Sequence, residues 1–254
     1  MQLVRRTLLV VDHLARTGES LTFQDLCGVL DIPGASLHRL LSVMEDEQFV
    51  VRHRDSRRYF LGPAASEVGL AARRAIRASE YLGRGLADLA EASGGAALLT
   101  EFIDNRAVCT ARYGGEELLG LSAKVGTTMP LHATAEARVL MIDMPRYAIA
   151  RLLADTGLTL FRPRTPRRVD EVMKRMALIR RHGYGVSYDE FDNGIWSLAA
   201  PVRNGAEQVV ATVAVATTEA RLSRPGVIDE MRSQILELAR GVSAELGHWG
   251  TRAA

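Results

Sequence analysis

Leu37, Leu40, Leu41 and Met44 stand at i, i+3, i+4 and i+7 directly after Ile32-Pro33-Gly34. This stripe predicts a helix with one buried face, entered through a tight turn. The opposite face begins with Ala35, Ser36, His38, Arg39 and Ser42, all short or hydrogen-bonding, while acids gather only at the far end in Glu45, Asp46 and Glu47. A generic solvent-facing helix more often carries Glu and Lys there. Small side chains let a backbone approach a DNA groove, and Ser, His and Arg donate to base edges or phosphate oxygens. The leading end of a recognition helix is where a helix-turn-helix needs such groups.

The flanking segments agree with that reading. Leu8, Val11, Leu14 and Ala15 recur at helical spacing up to Thr17-Gly18, where a glycine ends the helix. Thr22 and Asp25 are spaced as a capping pair before a second helix that carries Leu26, Val29 and Leu30 and ends at Asp31. After the third helix, two β-prone runs within residues 49–62 flank a polar turn and read as a hairpin. Arg52, Arg54, Arg57 and Arg58 face only Asp55 in that stretch. Such a run is either a solvated hairpin or a DNA-clamping wing, and its place directly after a helix-turn-helix favours the wing. Elsewhere in the first 62 residues, Arg5, Arg6, Arg16 and Arg39 face seven acids, so positive charge is concentrated where phosphates would lie.

Composition sets outer limits. The 254 residues leave room for a small domain and a medium one, and 47% hydrophobic with 24% charged is ordinary for a globular chain. No apolar run approaches the roughly 20 residues that span a bilayer, and the first residues, opening an amphipathic helix, lack a signal peptide's pattern. A cytoplasmic protein without membrane partners is expected. The net charge of +2 does not by itself advertise nucleic acid, and only Lys124 and Lys174 among the 32 basic residues are lysine. Cys27 and Cys109 match no metal spacing and read as reduced, buried thiols; neither metal nor cofactor is expected.

Three ordered groups of residues carry a family resemblance. Arg6-Thr7-Leu8, Ile32 to Leu41 and Tyr59-Phe60-Leu61-Gly62 form the first; Pro130-Leu131-His132-Ala133-Thr134-Ala135 is the second; Asp189-Glu190, Gly194 and Ala199-Ala200-Pro201-Val202 are the third. Together they closely resemble the IclR family of transcription regulators. Two departures stand out: Gly34-Ala35-Ser36 replaces a lysine-serine-threonine run, and Ala137-Arg138 replaces Gly-Lys. The resemblance implies an α+β two-domain protein, with a winged helix-turn-helix joined by a helix to a GAF-like antiparallel sheet domain with flanking helices. It also implies double-stranded operator DNA and a small-molecule effector as partners, and a homo-oligomer, either a dimer or a dimer of dimers.

The expected division is a DNA-binding domain over 1–62, a linker and dimerisation helix over 63–93, and an effector-binding domain over 94–254. In the linker, Val68, Ala71, Ala72, Ala75, Ser79 and Leu82 trace a small-residue face suited to close helix pairing. Beyond it a hairpin is expected over 96–113 about Asp104-Asn105. Helices are expected over Thr134–Met144, Arg146–Ala154 and Val169–His182. Strands follow over Tyr184–Tyr188, Ile195–Val202 and Gln208–Thr217, with Ile228, Met231, Ile235, Leu238 and Val242 on a closing helix.

The candidate DNA-binding residues are Arg5, Arg6, Gly34, Ser36, His38, Arg39, Arg52, Arg54, Arg57 and Arg58. The resemblance places the effector between Leu131–Arg138 and the sheet, at Leu131, Thr134, Ala135, Glu136, Ser187, Ser197, Ala214 and Ala216, with Leu98 and Ile195 as apolar walls. A helix N-terminus suits a carboxylate, but Ala214 and Ala216 bring no hydroxyl and Glu136 adds negative charge. These changes point to a larger aromatic or acyl acid; the alanines read equally as core-facing strand residues. Two rival readings remain: an enzyme using His132 with Asp189 and Glu190, or a redox switch that needs an exposed Cys109 with a depressed pKa. The sequence contains no nucleophile elbow, zinc spacing or phosphate loop to support the enzyme.

Overall fold

A computed structural model describes residues 2–248 except 18–19, 31, 78–79 and 119. It divides into two compact units, Met1–Ala75 and Ile76–Ala254. The division falls inside the segment expected as one linker helix.

The first unit contains α1 (Gln2–Thr17), α2 (Phe23–Leu30), α3 (Gly34–Asp46), β1 (Val50–Arg52), β2 (Tyr59–Leu61) and most of α4 (Pro63–Arg77). Residues Gly18 and Asp31, where two helix ends were expected, lie outside the described residues. The Thr22–Asp25 capping pair forms in both directions: Thr22 N–H donates to Asp25 Oδ2 at 2.8 Å, and Asp25 N–H donates to Thr22 Oγ1 at 3.2 Å. Leu37, Leu40, Leu41 and Met44 pack with Val10, Leu14, Leu26, Ile32, Val50 and Tyr59 in one core.

Two inward faces differ from the expectation. On α1 the core residues are Val10 and Leu14, while Leu8 is 62% exposed and Ala15 also faces outward. On α2, Val29 is 57% exposed. A helix this small buries only a narrow stripe, so apolar residues one position off that stripe stay in water. The strands β1 and β2 pair antiparallel, and Tyr59 also bridges to Leu21, which ties the hairpin to the segment before α2. Gly62 closes it: its N–H donates to Phe49 O, and any Cβ there would collide with the Gln48 carbonyl.

The segment expected as a single linker helix is helical over α4 and over α5 (Glu80–Ser93), and residues 78–79 between them lie outside the described residues. Leu82, Leu86 and Leu89 form their own stripe and pack into the core of the second unit. Leu82 therefore belongs to that core and not to a pairing face. Val68 and Ala71 are exposed on α4, whereas Ser79 and the side chains of Ala72 and Ala75 lie outside what is described.

The second unit is built on a six-stranded antiparallel sheet in the order β5-β4-β3-β8-β7-β6. Its strands are β3 (Ala96–Ile103), β4 (Arg106–Gly114), β5 (Thr128–Met129), β6 (Gly185–Tyr188), β7 (Ile195–Arg203) and β8 (Val209–Thr218). The β3–β4 turn falls at Asp104-Asn105, with φ of +48° and +61°. Strand alternation separates two cores. Ala97, Leu99, Val213 and Val215 face α5 and α9 (Val227–Glu245). Ala96, Leu98, Ala214 and Ala216 face the other side, with α6 (Ala135–Leu140), α7 (Arg146–Thr156) and α8 (Val169–His182). Ile228, expected in the stripe of α9, is 42% exposed at its start.

Helix α6 is shorter than the expected Thr134–Met144. Met141–Asp143 form a turn before Pro145, because the residue preceding a proline disfavours helical geometry. Among the described residues, no helix is long and apolar enough to cross a membrane.

Candidate functional site

In the first unit, the buried stripe of α3 fixes what its other faces present. His38 and Arg39 are exposed, Gly34 is exposed at the helix start, and Ser36 is half-buried. Arg6, Ser36 and Arg39 together line a groove of about 510 Å³ between α1 and α3, with Leu3, Thr7, Leu40, Val43 and Met44. His38 points elsewhere, its ring edge-on to Phe23 of α2 at 6.3 Å. Arg5 is exposed on α1, outside that groove.

The four hairpin arginines are not equivalent. Arg54 and Arg57 are exposed, the latter in the turn with φ of +55°. Arg52 lies over the Tyr59 ring, 5.3 Å from its centroid, and Arg58 is folded back. Its Nε donates to Ser20 O and Ser20 Oγ at 3.0 Å, and a second nitrogen donates to Ser20 O at 2.6 Å. As placed, Arg58 ties the hairpin to the α1–α2 connection, whereas it was expected on phosphate. A guanidinium offers several donors in a fixed fork, and a nearby carbonyl and hydroxyl satisfy them without DNA. Sequence charge alone cannot distinguish those two uses.

In the second unit, strand register creates a row of small polar and apolar groups. Ser187, Ser197 and Ala216 lie abreast on β6, β7 and β8, and Ala96 completes the row on β3. Helix α6 lies over that row. Its residue Glu136 is buried and accepts from Ser197 Oγ at 2.6 Å. Burial pushes the Glu136 carboxyl above its usual value, opposed by the Ser197 hydroxyl. Thr134 caps α6, receiving the Ala137 N–H, and the Ala135 N–H already donates to Ser187 Oγ at 3.3 Å.

These groups enclose a cavity of only about 20 Å³, room for a single water. Seven expected effector residues line it: Leu98, Thr134, Glu136, Ser187, Ile195, Ser197 and Ala216. Leu131, Ala135 and Ala214 are buried beside it without reaching its surface. For Ala214 the core-facing alternative describes what is seen, since it packs opposite Leu98 and Ala199.

Sequence reading missed Leu121, Met129, Ala133, Phe191 and Asp192 on the lining, and it assigned Glu190 elsewhere. Asp192 accepts from Ser122 N at 2.9 Å and Ser122 Oγ at 2.6 Å, which clasps the β4–β5 loop over the cavity. Burial raises the Asp192 pKa against those two hydrogen bonds. The only sequence signal was the Phe191-Asp192 pair beside the Asp189-Glu190 motif.

Beneath the cavity lies a buried ionic network. Arg138 is fully buried, with one nitrogen 2.6 Å from Glu190 Oε2 and 2.7 Å from His132 O, and another 3.0 Å from Val186 O. Arg175 Nε reaches the other Glu190 oxygen at 3.1 Å. Glu190, paired with His132 in the rival enzyme reading, is buried here because two guanidinium groups pair with it. Asp189 does cap the turn, accepting from Gly194 N at 2.9 Å and pairing with Arg162, and the Gly194 N–H holds its carboxyl below the usual range.

The rival chemistries lose their geometry here. His132 Nε2 hydrogen-bonds Thr159 O at 2.9 Å and its ring stacks on Phe161, so it is engaged in packing; burial lowers its pKa. Cys109 is buried and its thiol is pushed up to about 11, chiefly by burial and then by Glu136, the reverse of what a redox switch requires. Cys27, expected to be buried, is half-exposed. Among the described residues, no group of His, Cys, Asp and Glu could hold a metal ion.

Comparison with known proteins covers both units. Residues 3–54 match the family model described as the IclR helix-turn-helix domain, and residues 74–244 match that of the bacterial transcriptional regulator IclR C-terminal region. The chain is 24% identical over 246 residues to the HTH-type transcriptional repressor AllR of Salmonella typhi, covering 97% of this chain and 90% of that protein. It is 25% identical over 249 residues to AllR of Klebsiella pneumoniae, with the same coverages. Among solved structures, Thermotoga maritima IclR superposes with a TM-score of 0.61 at 20% identity, covering 97% of this chain and 99% of that one. An IclR homologue from Microbacterium hydrocarbonoxydans, complexed with 4-hydroxybenzoate, gives 0.60 at 18% identity, with coverages of 96% and 98%. At these identities the two structures speak to fold.

Proposed function

This chain belongs to the IclR family of bacterial transcriptional regulators, and from that membership we propose how its two units divide the work. It is a DNA-binding regulator. The first unit reads operator DNA through α3, with Arg39 and His38 toward base edges and Arg54 and Arg57 on phosphates. The second unit binds a small effector between α6 and the sheet. The AllR relatives are repressors, which makes repression the proposed direction. A cytoplasmic homodimer, or a pair of dimers, is the proposed working form, with α4 connecting reader to sensor.

One observation carries the DNA reading. Leu37, Leu40 and Leu41 are buried while His38 and Arg39, on the same helix, are exposed with no ion pair to a described residue. Polar donors on a well-anchored helix suit the major groove. An effector that favours one arrangement of the two readers must change DNA affinity, and DNA must change effector affinity by the same factor.

The test is retardation of DNA from upstream of the chain's own gene, titrated with salt. Specific binding should appear at two half-sites about 34–36 Å apart or a multiple of that spacing. Binding that ignores sequence at every salt concentration would overturn the assignment of α3 as the reader.

A further inference from the structure

The cavity under α6 has an unusual charge inventory. Three acidic residues line it, Glu136, Glu190 and Asp192, and among the described residues no basic one does. Two arginines lie nearby: Arg138 bonds Glu190, His132 O and Val186 O through its two terminal nitrogens, with its buried Nε left without a hydrogen bond, and Arg175 bonds Glu190 and Arg164 O. With two guanidinium groups on it, Glu190 is neutralised in place. Asp192 has the Ser122 N–H and hydroxyl, and Glu136 has the Ser197 hydroxyl and a backbone N–H of its own helix start. Neither makes an ion pair with a described residue.

An organic anion entering this space would lose its hydration, find no basic side chain on the lining, and face two carboxyls. The N–H groups that could replace a cation at the start of α6 are already used at Ala135 and Ala137. A compact ammonium group reverses each of these costs. It donates to carboxylate oxygens, and Phe191 on the wall offers a ring face or edge to its apolar body. The remaining walls, Leu98, Leu121, Met129, Ile195 and Ala216, take a short aliphatic or aromatic stem. The cavity now holds about one water, so entry requires the Ser122–Asp192 clasp to open, which frees Asp192 for the ligand.

We infer that the effector is a small organic amine, held as its ammonium between Glu136 and Asp192. This rests on the second unit being the effector-binding one, and it replaces the aromatic or acyl acid expected from the sequence.

The full chain is titrated calorimetrically with propylamine and benzylamine, and in parallel with propionate and benzoate. Both amines should bind at least about tenfold more tightly than their acid counterparts. Glu136→Gln should weaken the amines by about tenfold or more while leaving the melting transition cooperative. If that variant does not fold, Asp192→Asn, at the edge of the cavity, should weaken them severalfold. An acid that binds as tightly as its amine, amine binding unmoved by both substitutions, or binding of neither amine overturns the inference. DNA retardation by the same ligand-free preparation separates the two readings. Retained DNA binding with failed amine binding removes only the ligand class, whereas loss of DNA binding removes the regulator reading.

Discussion

The guanidinium of Arg138 sits 2.6 Å from Glu190 Oε2 with no exposure to water, one helix position beyond the alanine that follows Glu136. Arg138→Met should destabilise the chain by about 3–5 kcal/mol, because Glu190 and the His132 and Val186 carbonyls lose a buried partner. Removing both charges together, as Arg138→Met with Glu190→Gln, should cost less than the single change. Urea denaturation of the three proteins checks this; equal stability of Arg138→Met and the parent would show the pair to be energetically idle.

The arginines of the first unit should separate by measurement. Arg39→Ala is expected to weaken operator binding by about 1–3 kcal/mol with a preference change at one base pair. Arg57→Ala should weaken binding to all sequences and reduce the salt slope by about 0.9. Arg58→Ala should act differently, lowering melting temperature more than it changes the salt slope, since its donors are on Ser20. A full phosphate-type slope change for Arg58→Ala, with stability intact, would contradict that role.

His132 gives an acid-side effect. Burial lowers its folded pKa below 6.5, so the unfolded chain takes up the proton first as pH drops. Its contribution is complete above about pH 6.5 and is lost as pH falls through the folded value. Replacing His132 by Gln should flatten that limb of a melting-temperature profile, and an unchanged limb would assign the loss to other groups.

Glu136 acts in the opposite sense. Its folded pKa lies above 4.5, so its stabilising balance is complete below that value and is lost as pH rises through the folded value. Glu136→Gln should therefore gain stability relative to the parent between pH 5 and 8 and show little difference at pH 4. Calorimetric melting across that range decides it.

Native alkylation tests the thiols. Cys109, buried with a pKa of about 11, should react with iodoacetamide only as fast as the second unit opens, while half-exposed Cys27 reacts directly. Faster labelling of Cys109 than Cys27 would reopen the redox reading.

Much of the fold was written in local patterns. The α3 stripe, the Thr22–Asp25 cap, the Asp104-Asn105 turn and the α8 span each follow from residues within a few positions of one another, where period and capping chemistry act directly. Burying Leu37 and Leu41 likewise turns Arg39 outward, on the helix proposed to read DNA. What the sequence alone could not show was partnership. Arg58 and Arg57 are adjacent arginines in one basic run, yet only the fold brings Ser20 to the first and leaves the second in water. Ser187, Ser197 and Ala216 meet only through strand register, and Glu190 is buried rather than solvated because α6 and α8 deliver Arg138 and Arg175 to it. Local spacing determines which face of an element is apolar; desolvation and long-range pairing determine which of its polar groups remain available to a ligand.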